Sequence, residues 1–213
     1  MKVLKDAASR ISAAHDGALV EVNVEAIVST VRDAAADIPA TRHPLGFVHF
    51  ELTDLVSLAE RRVRLHVWTP ETSRFKDELG SHHAHTWTLA SCVLRGGVRD
   101  TQYRPILDSL GEFFVSEIDY ISEEARPLSD RVRLEVVRAI DVAPGRVYYV
   151  PDGVPHQTEI TSLPTATLLV AREMGRTATP VYSRTELTQP RPAGRIDLPT
   201  PEAIAVLDEL LDG

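Results

Sequence analysis

Four histidines in the chain carry a spacing that can do chemistry. His82-His83-Ala84-His85 opens a stretch that reads as a β-strand. Residues i and i+2 of a strand share a face, so His83 and His85 point together. His82 is three residues from His85 and falls on the opposite face, which leaves it without a role. His156 follows Pro151-Asp152-Gly153, a turn in which proline fixes φ and glycine permits a positive φ. Such a turn can aim His156 at the face carrying His83 and His85. Three imidazole nitrogens so placed are ligands for a divalent transition metal, held at about 2.0–2.1 Å. An isolated histidine pair is usually a surface feature; the later turn and its histidine distinguish this one.

Around these ligands stand groups able to meet a substrate. Trp87, Leu89, Ser91 and Val93 share the parity of the ligands and are expected to face the same interior. Trp87 is read as a pocket wall, or equally as core packing. Arg62-Val63-Arg64-Leu65-His66-Val67-Trp68 alternates, with Val63, Leu65 and Val67 on one face and Arg64 and His66 on the other. If the polar face lines a cavity, Arg64 can clamp a carboxylate and His66 joins the pocket. If it faces solvent both are surface groups, and the alternation slightly favours solvent. Tyr103 is a further pocket candidate. One of Tyr148 and Tyr149 should point inward, and parity does not say which. Arg64 and Tyr149 stand as the catalytic candidates. His15, His43 and His49 receive no metal role, and Cys92, of opposite parity to the ligands, points away from them.

The elements that must position these groups follow from periodicity. Residues 1–45 read as a helical N-terminal region: Ala7 to Ala14 is alanine-rich, Gly17 ends that run, and Asn23 is an N-cap for Ala26, Ile27, Val31 and Ala34. From Phe47 the period becomes two. Strands are expected over 47–52, 62–68, 82–95, 98–103, 112–121, 131–142, 146–150, 156–161, 165–172 and 180–183, with Gly96-Gly97 turning a hairpin. Pro70 to Gly80 reads as a polar connection. A helix over 198–212 closes the chain, with Thr200 as N-cap. The fold class is mainly β: one domain over 1–213, a jelly-roll barrel over 46–185 with N-terminal helices and a short C-terminal helix.

Composition narrows the partners. The 213 residues carry a net charge of −8 and no basic block, so nucleic acid and anionic membranes are not expected partners. No segment approaches the roughly 20 apolar residues of a membrane span. The single cysteine excludes an internal disulfide and fits a reducing, cytoplasmic setting.

The two histidine stretches resemble the motifs of the cupin superfamily. The first motif, G-x5-H-x-H-x3-4-E-x6-G, is met by His83, His85 and Gly96; its opening glycine is Asp77, and its acid is replaced by Leu89 or Ala90. The second, G-x5-P-x-G-x2-H-x3-N, is met by Gly145, Pro151, Gly153 and His156, with Ile160 in place of its last residue. The resemblance covers about residues 60–173 and implies a double-stranded β-helix barrel binding metal through His83, His85 and His156. Without the acid, three neutral imidazoles leave the full charge on the metal, which favours anionic co-ligands. All-histidine iron sites in this superfamily are typical of thiol dioxygenases and of some ring-cleaving dioxygenases, and Val93 to Tyr103 is similar to the strand–Gly–strand pattern of the thiol dioxygenases. The Ser-x-His-x-Tyr element of cysteine dioxygenases has no counterpart in Thr165–Glu173, so cysteine itself is not implied as substrate. The expectation is an Fe(II)-dependent dioxygenase acting with O2 on a small molecule such as a thiol carboxylate, with Zn, Ni or Mn as other metals and a homodimer allowed. The alternatives are a non-redox metalloenzyme (isomerase, lyase or cyclase) or a barrel that binds a small ligand without turnover.

Overall fold

The computed structural model describes residues 1–77, 80–175 and 177–212. Helix α1 (Lys2–Ala13) buries Leu4, Ala7, Ala8 and Ile11, a stripe at helical spacing. Helix α2 (Val24–Asp33) begins where the Asn23 side chain accepts a hydrogen bond from the Ala26 N–H at 2.9 Å, and it buries Ile27, Val28 and Val31. The expected helical region does not reach residue 45, because β1 (Ala40–His43) pairs with β2 (Phe47–Glu51). The one-turn α3 (Thr53–Val56) leads to β3 (Arg62–Trp68). Within the polar connection, α4 (Pro70–Ser73) is closed by a capping box between Thr69 and Thr72. Residues 78 and 79 of that connection lie outside the described residues.

The barrel proper follows. Its strands are β4 (His82–His83), β5 (Trp87–Leu107), β6 (Phe113–Asp119), β7 (Glu124–Val142), β8 (Val147–Val150), β9 (His156–Glu173) and β10 (Ala178–Ser183). Two short strands, β11 (Arg191–Pro192) and β12 (Ile196–Asp197), precede α5 (Thr200–Asp212). Antiparallel pairing runs β9–β4–β10–β6–β7–β5, and β5 pairs back onto β9, so the sheet closes on itself. The result is a mainly β, closed antiparallel barrel with flanking helices, as expected from the sequence. β3, β2, β1 and β12 extend it from β9.

Gly96-Gly97 does not turn a hairpin. β5 runs unbroken for 21 residues, and its pairing with β9 continues through register shifts between Val93 and Val98. Gly96 adopts φ +77°, and a Cβ there would meet the Thr165 side chain, the Pro164 oxygen at 2.7 Å and Thr165 Cα at 2.9 Å. The glycine therefore makes a bulge that bends the strand and brings it close to β9, where no side chain fits. The segments 156–161 and 165–172 are likewise one strand, β9.

The bulge also flips the faces of β5. Before it, Ala90, Cys92 and Leu94 pack against the helices, while Trp87, Leu89 and Val93 face the barrel interior. After it, the even-numbered Val98 joins the interior. The main core lies between α1, α2, α5 and the apolar face of β2, β3 and β9, with Phe50, Leu65, Leu168 and Leu207 fully buried. Each such side chain contributes about 1.5–3 kcal/mol by leaving water. Because the helices cover the Val63, Leu65 and Val67 face of β3, its other face turns into the barrel.

Candidate metal centre

The register of the barrel assembles the three histidines. His83, at the end of β4, is the cross-strand partner of His156, the first residue of β9. His85 lies just beyond β4, held by backbone bonds on both sides. The Gly153 N–H donates to the His85 oxygen at 3.0 Å, and the Ala84 N–H donates to the Pro180 oxygen at 3.1 Å. The Pro151–Gly153 turn, with Gly153 at φ +71°, thus aims His156 and also anchors His85. One ligand nitrogen from each of His83, His85 and His156 lies within 4.8 Å of the others.

This donor set fits a divalent transition metal. The Nε2 atoms of His85 and His156 are 3.1 Å apart. Two ligands each about 2.0–2.1 Å from one ion, at an angle near 100°, stand about 3.1 Å apart. His156 Nδ1 lies 2.8 Å from Asp100 Oδ1, and Asp100 is 0% exposed. The carboxylate accepts the Nδ1–H, which leaves the Nε2 lone pair facing the cluster. Gln102 Nε2 holds the other Asp100 oxygen at 3.0 Å and the Tyr149 carbonyl at 2.8 Å. Burial, then the His83 and His156 rings, lowers the proton affinity of His85 well below the ordinary value. Burial, then His156, lowers that of His83 to about 3. Both rings are neutral at physiological pH, as ligands must be. Among the described residues no carboxylate joins the cluster. Leu89, one of the two positions named above with Ala90 for the missing acid, is buried and lines the cavity.

The histidines open onto a cavity of about 110 Å³, where about 10–15 Å³ would hold one water. Trp87, 6% exposed, forms its wall and stacks on His85 at 4.9 Å between ring centroids. Arg64 and His66 do not face solvent. They line the cavity, because the helices occupy the opposite face of β3. Arg64 is 9% exposed, and its Nε–H donates to Glu51 Oε2 at 3.0 Å. Tyr149 does not belong to the site. β8 pairs Tyr148 with Ser91, an inward position, so Tyr148 lines the cavity and Tyr149 is 39% exposed. Tyr103 is not in the cavity lining either. Beyond the Gly96 bulge the even residues Asp100 and Gln102 face His156, so Tyr103 turns to the other side. There it packs on His82 at 5.2 Å, and its hydroxyl donates to Gln157 Oε1 at 3.1 Å. His82 sits between Tyr103 and Phe113, apart from the three ligands.

Several groups in the site escape a reading by motif. Asp100 is one acid among many in the sequence; only the parity flip at Gly96 reveals that it faces His156. His49 enters the cavity wall through the β2–β3 register, which sets it opposite His66, and the same register sets Glu51 behind the wall, opposite Arg64. An alternating Phe47-x-His49-x-Glu51 beside the Arg64 strand is the signal that would have found them. Burial pushes the Glu51 carboxyl up, but bonds from His49, Arg64 and Thr53 and the Arg64 charge outweigh it and hold it well below the carboxylate range. Tyr120 and Arg195, from distant stretches, complete the lining.

No known protein-family profile matches the chain, and no curated protein does. Among solved structures, a variant of the oxalate decarboxylase of Bacillus subtilis is 16% identical, with a TM-score of 0.38, over 62% of this chain and 27% of that one. The formate complex of the Lactobacillus farciminis oxalate decarboxylase is 16% identical, with a TM-score of 0.38, over 64% of this chain and 31% of that one. The chain thus spans under a third of the length of these proteins. The architecture given above rests on the strand pairings themselves.

Proposed function

We propose that the chain is a cupin oxygenase that holds Fe(II) on His83, His85 and His156 and oxidises a small molecule, with a thiol carboxylate the leading candidate. The reading is carried by the all-imidazole cluster, two of whose nitrogens stand at the spacing of neighbouring metal ligands. Bound iron would supply adjacent open positions for substrate and O2 and stabilise developing negative charge. The chain's own residues orient and shield. Asp100 fixes the His156 tautomer. Trp87 walls off the cluster, and Glu51 immobilises Arg64 beside it. The three neutral ligands favour an anionic donor from the substrate, such as a thiolate.

The test is elemental analysis followed by anaerobic loading with Fe(II) and oxygen-uptake assays across a panel of thiols. Substrate-dependent uptake is expected, abolished in a folded His83→Ala variant. Fully iron-loaded protein that consumes no oxygen with any thiol would remove the reading. Native zinc, nickel or manganese would favour a Lewis-acid isomerase, lyase or cyclase instead.

A further inference from the structure

Three guanidinium groups, those of Arg64, Arg191 and Arg195, line the cavity, and their surroundings differ: Arg191 is answered by Asp77. Arg64 is answered within the protein by Glu51 at 3.0 Å. Arg195 forms no ion pair among the described residues, and its guanidinium lies over the Tyr120 ring, 5.4 Å from the centroid. Tyr120 in turn packs against Trp87 at 5.3 Å, the wall that stacks on His85.

Arg195 is not a stray surface arginine. The stretch 191–198 is a strap tied down on both sides of it. Arg191 and Pro192 pair with Ala125 and Glu124 of β7, and the Ala193 N–H donates to the Glu123 oxygen at 2.8 Å. Arg191 bonds Asp77 Oδ2 at 2.6 Å. On the other side Ile196 and Asp197 pair with Arg42 and Thr41 of β1, and the Leu198 N–H donates to the Ala40 oxygen at 2.8 Å. The half-buried Arg195 is thereby fixed against the cavity. Its field reaches the interior: behind burial, it is one of the charges that lower the proton affinity of His43 and His66. A cation held at a partly desolvated wall gains most from an anion that completes it.

We infer that Arg195 is the substrate's anion anchor, and that the substrate is a small carboxylate whose charged end lies against the strap while its other end reaches the three histidines. The second half rests on the proposed metal site; the anchoring itself needs no metal. The guanidinium fork suits a carboxylate by a paired hydrogen bond, which a neutral amide cannot match.

Both tryptophans of the chain, Trp68 and Trp87, line the same cavity, so intrinsic fluorescence reports its occupancy. The probes are mercaptoacetate and its neutral isostere mercaptoacetamide, titrated into metal-free and Fe(II)-loaded protein under anaerobic conditions. Wild type is expected to prefer mercaptoacetate by about ten- to a hundredfold, with or without metal. In Arg195→Gln that preference should fall to near unity while mercaptoacetamide binding and the thermal midpoint stay unchanged, and Arg195→Lys should keep part of it. A preference that survives in Arg195→Gln, or is lost only in Arg64→Gln, or is absent from metal-free wild type, would overturn the assignment. Discrimination through Arg195 in a protein that takes up no oxygen would leave the anchor standing and remove the oxygenase reading.

Discussion

Asp100 shows how one buried side chain sets the state of another. Its carboxylate has no access to water, and it is held by Gln102 on one oxygen and His156 on the other. Replacing it with asparagine removes the negative charge that favours an Nδ1–H on His156. Asp100→Asn is expected to weaken metal binding about 10–100-fold while leaving His83 and His85 in place. Metal-competition titration with a chromophoric chelator measures it; unchanged affinity would show that the pair does not orient the ligand. The clustering of the three histidines was legible in the sequence, because histidine spacing and turn chemistry are local. Asp100 was not, since its orientation depends on a bulge four residues earlier. Tyr149 was misjudged for a similar reason. Adjacent tyrosines differ only in parity, and the β5–β8 register decides between them.

At the scale of elements, β5 and β9 carry the design. Each is long enough to pack helices at one end and border the metal cluster at the other, and Gly96 is the point where β5 changes face. Gly96→Ala would place a methyl group into backbone atoms of Pro164 and Thr165 at a positive φ. The expected cost is about 2–4 kcal/mol, read as a drop in urea midpoint, together with weaker metal binding because the bent strand positions Asp100. Equal stability would mean that the bulge is not required. The strands themselves were recognisable from period-two patterning. Their continuity was not, because a glycine pair reads as a turn when its partner strand is unknown. The same blindness to partners left open whether Arg64 and His66 face the cavity or solvent. The alternation on β3 was read correctly, but only the helices of the tertiary fold decide which face is covered.

For the molecule as a whole, the buried imidazoles set its tolerance of acid. Burial, first among the causes, holds His43, His66 and His85 neutral in the folded protein, and it lowers His82 to about 4. The unfolded chain takes up protons at these rings near pH 6.5, so the unfolded state binds more protons and stability falls as pH drops below that value. Each ring held neutral in the folded state contributes up to about 1 kcal/mol per pH unit to this loss. Glu51, whose folded value is depressed, adds its own stabilisation above about pH 4.5 and surrenders it below. The urea midpoint should therefore decline between pH 7 and 5 and more steeply beneath 4.5; a flat profile would contradict the buried neutral rings. Cys92 completes the picture from the other side of β5. It is the chain's one cysteine, packed under the helices, and burial pushes its thiol up to about 11. Were the proposed oxygenase centre active in the barrel, the chain's one thiol would stand on the far side of β5 from it, shielded from the oxidant the centre would handle.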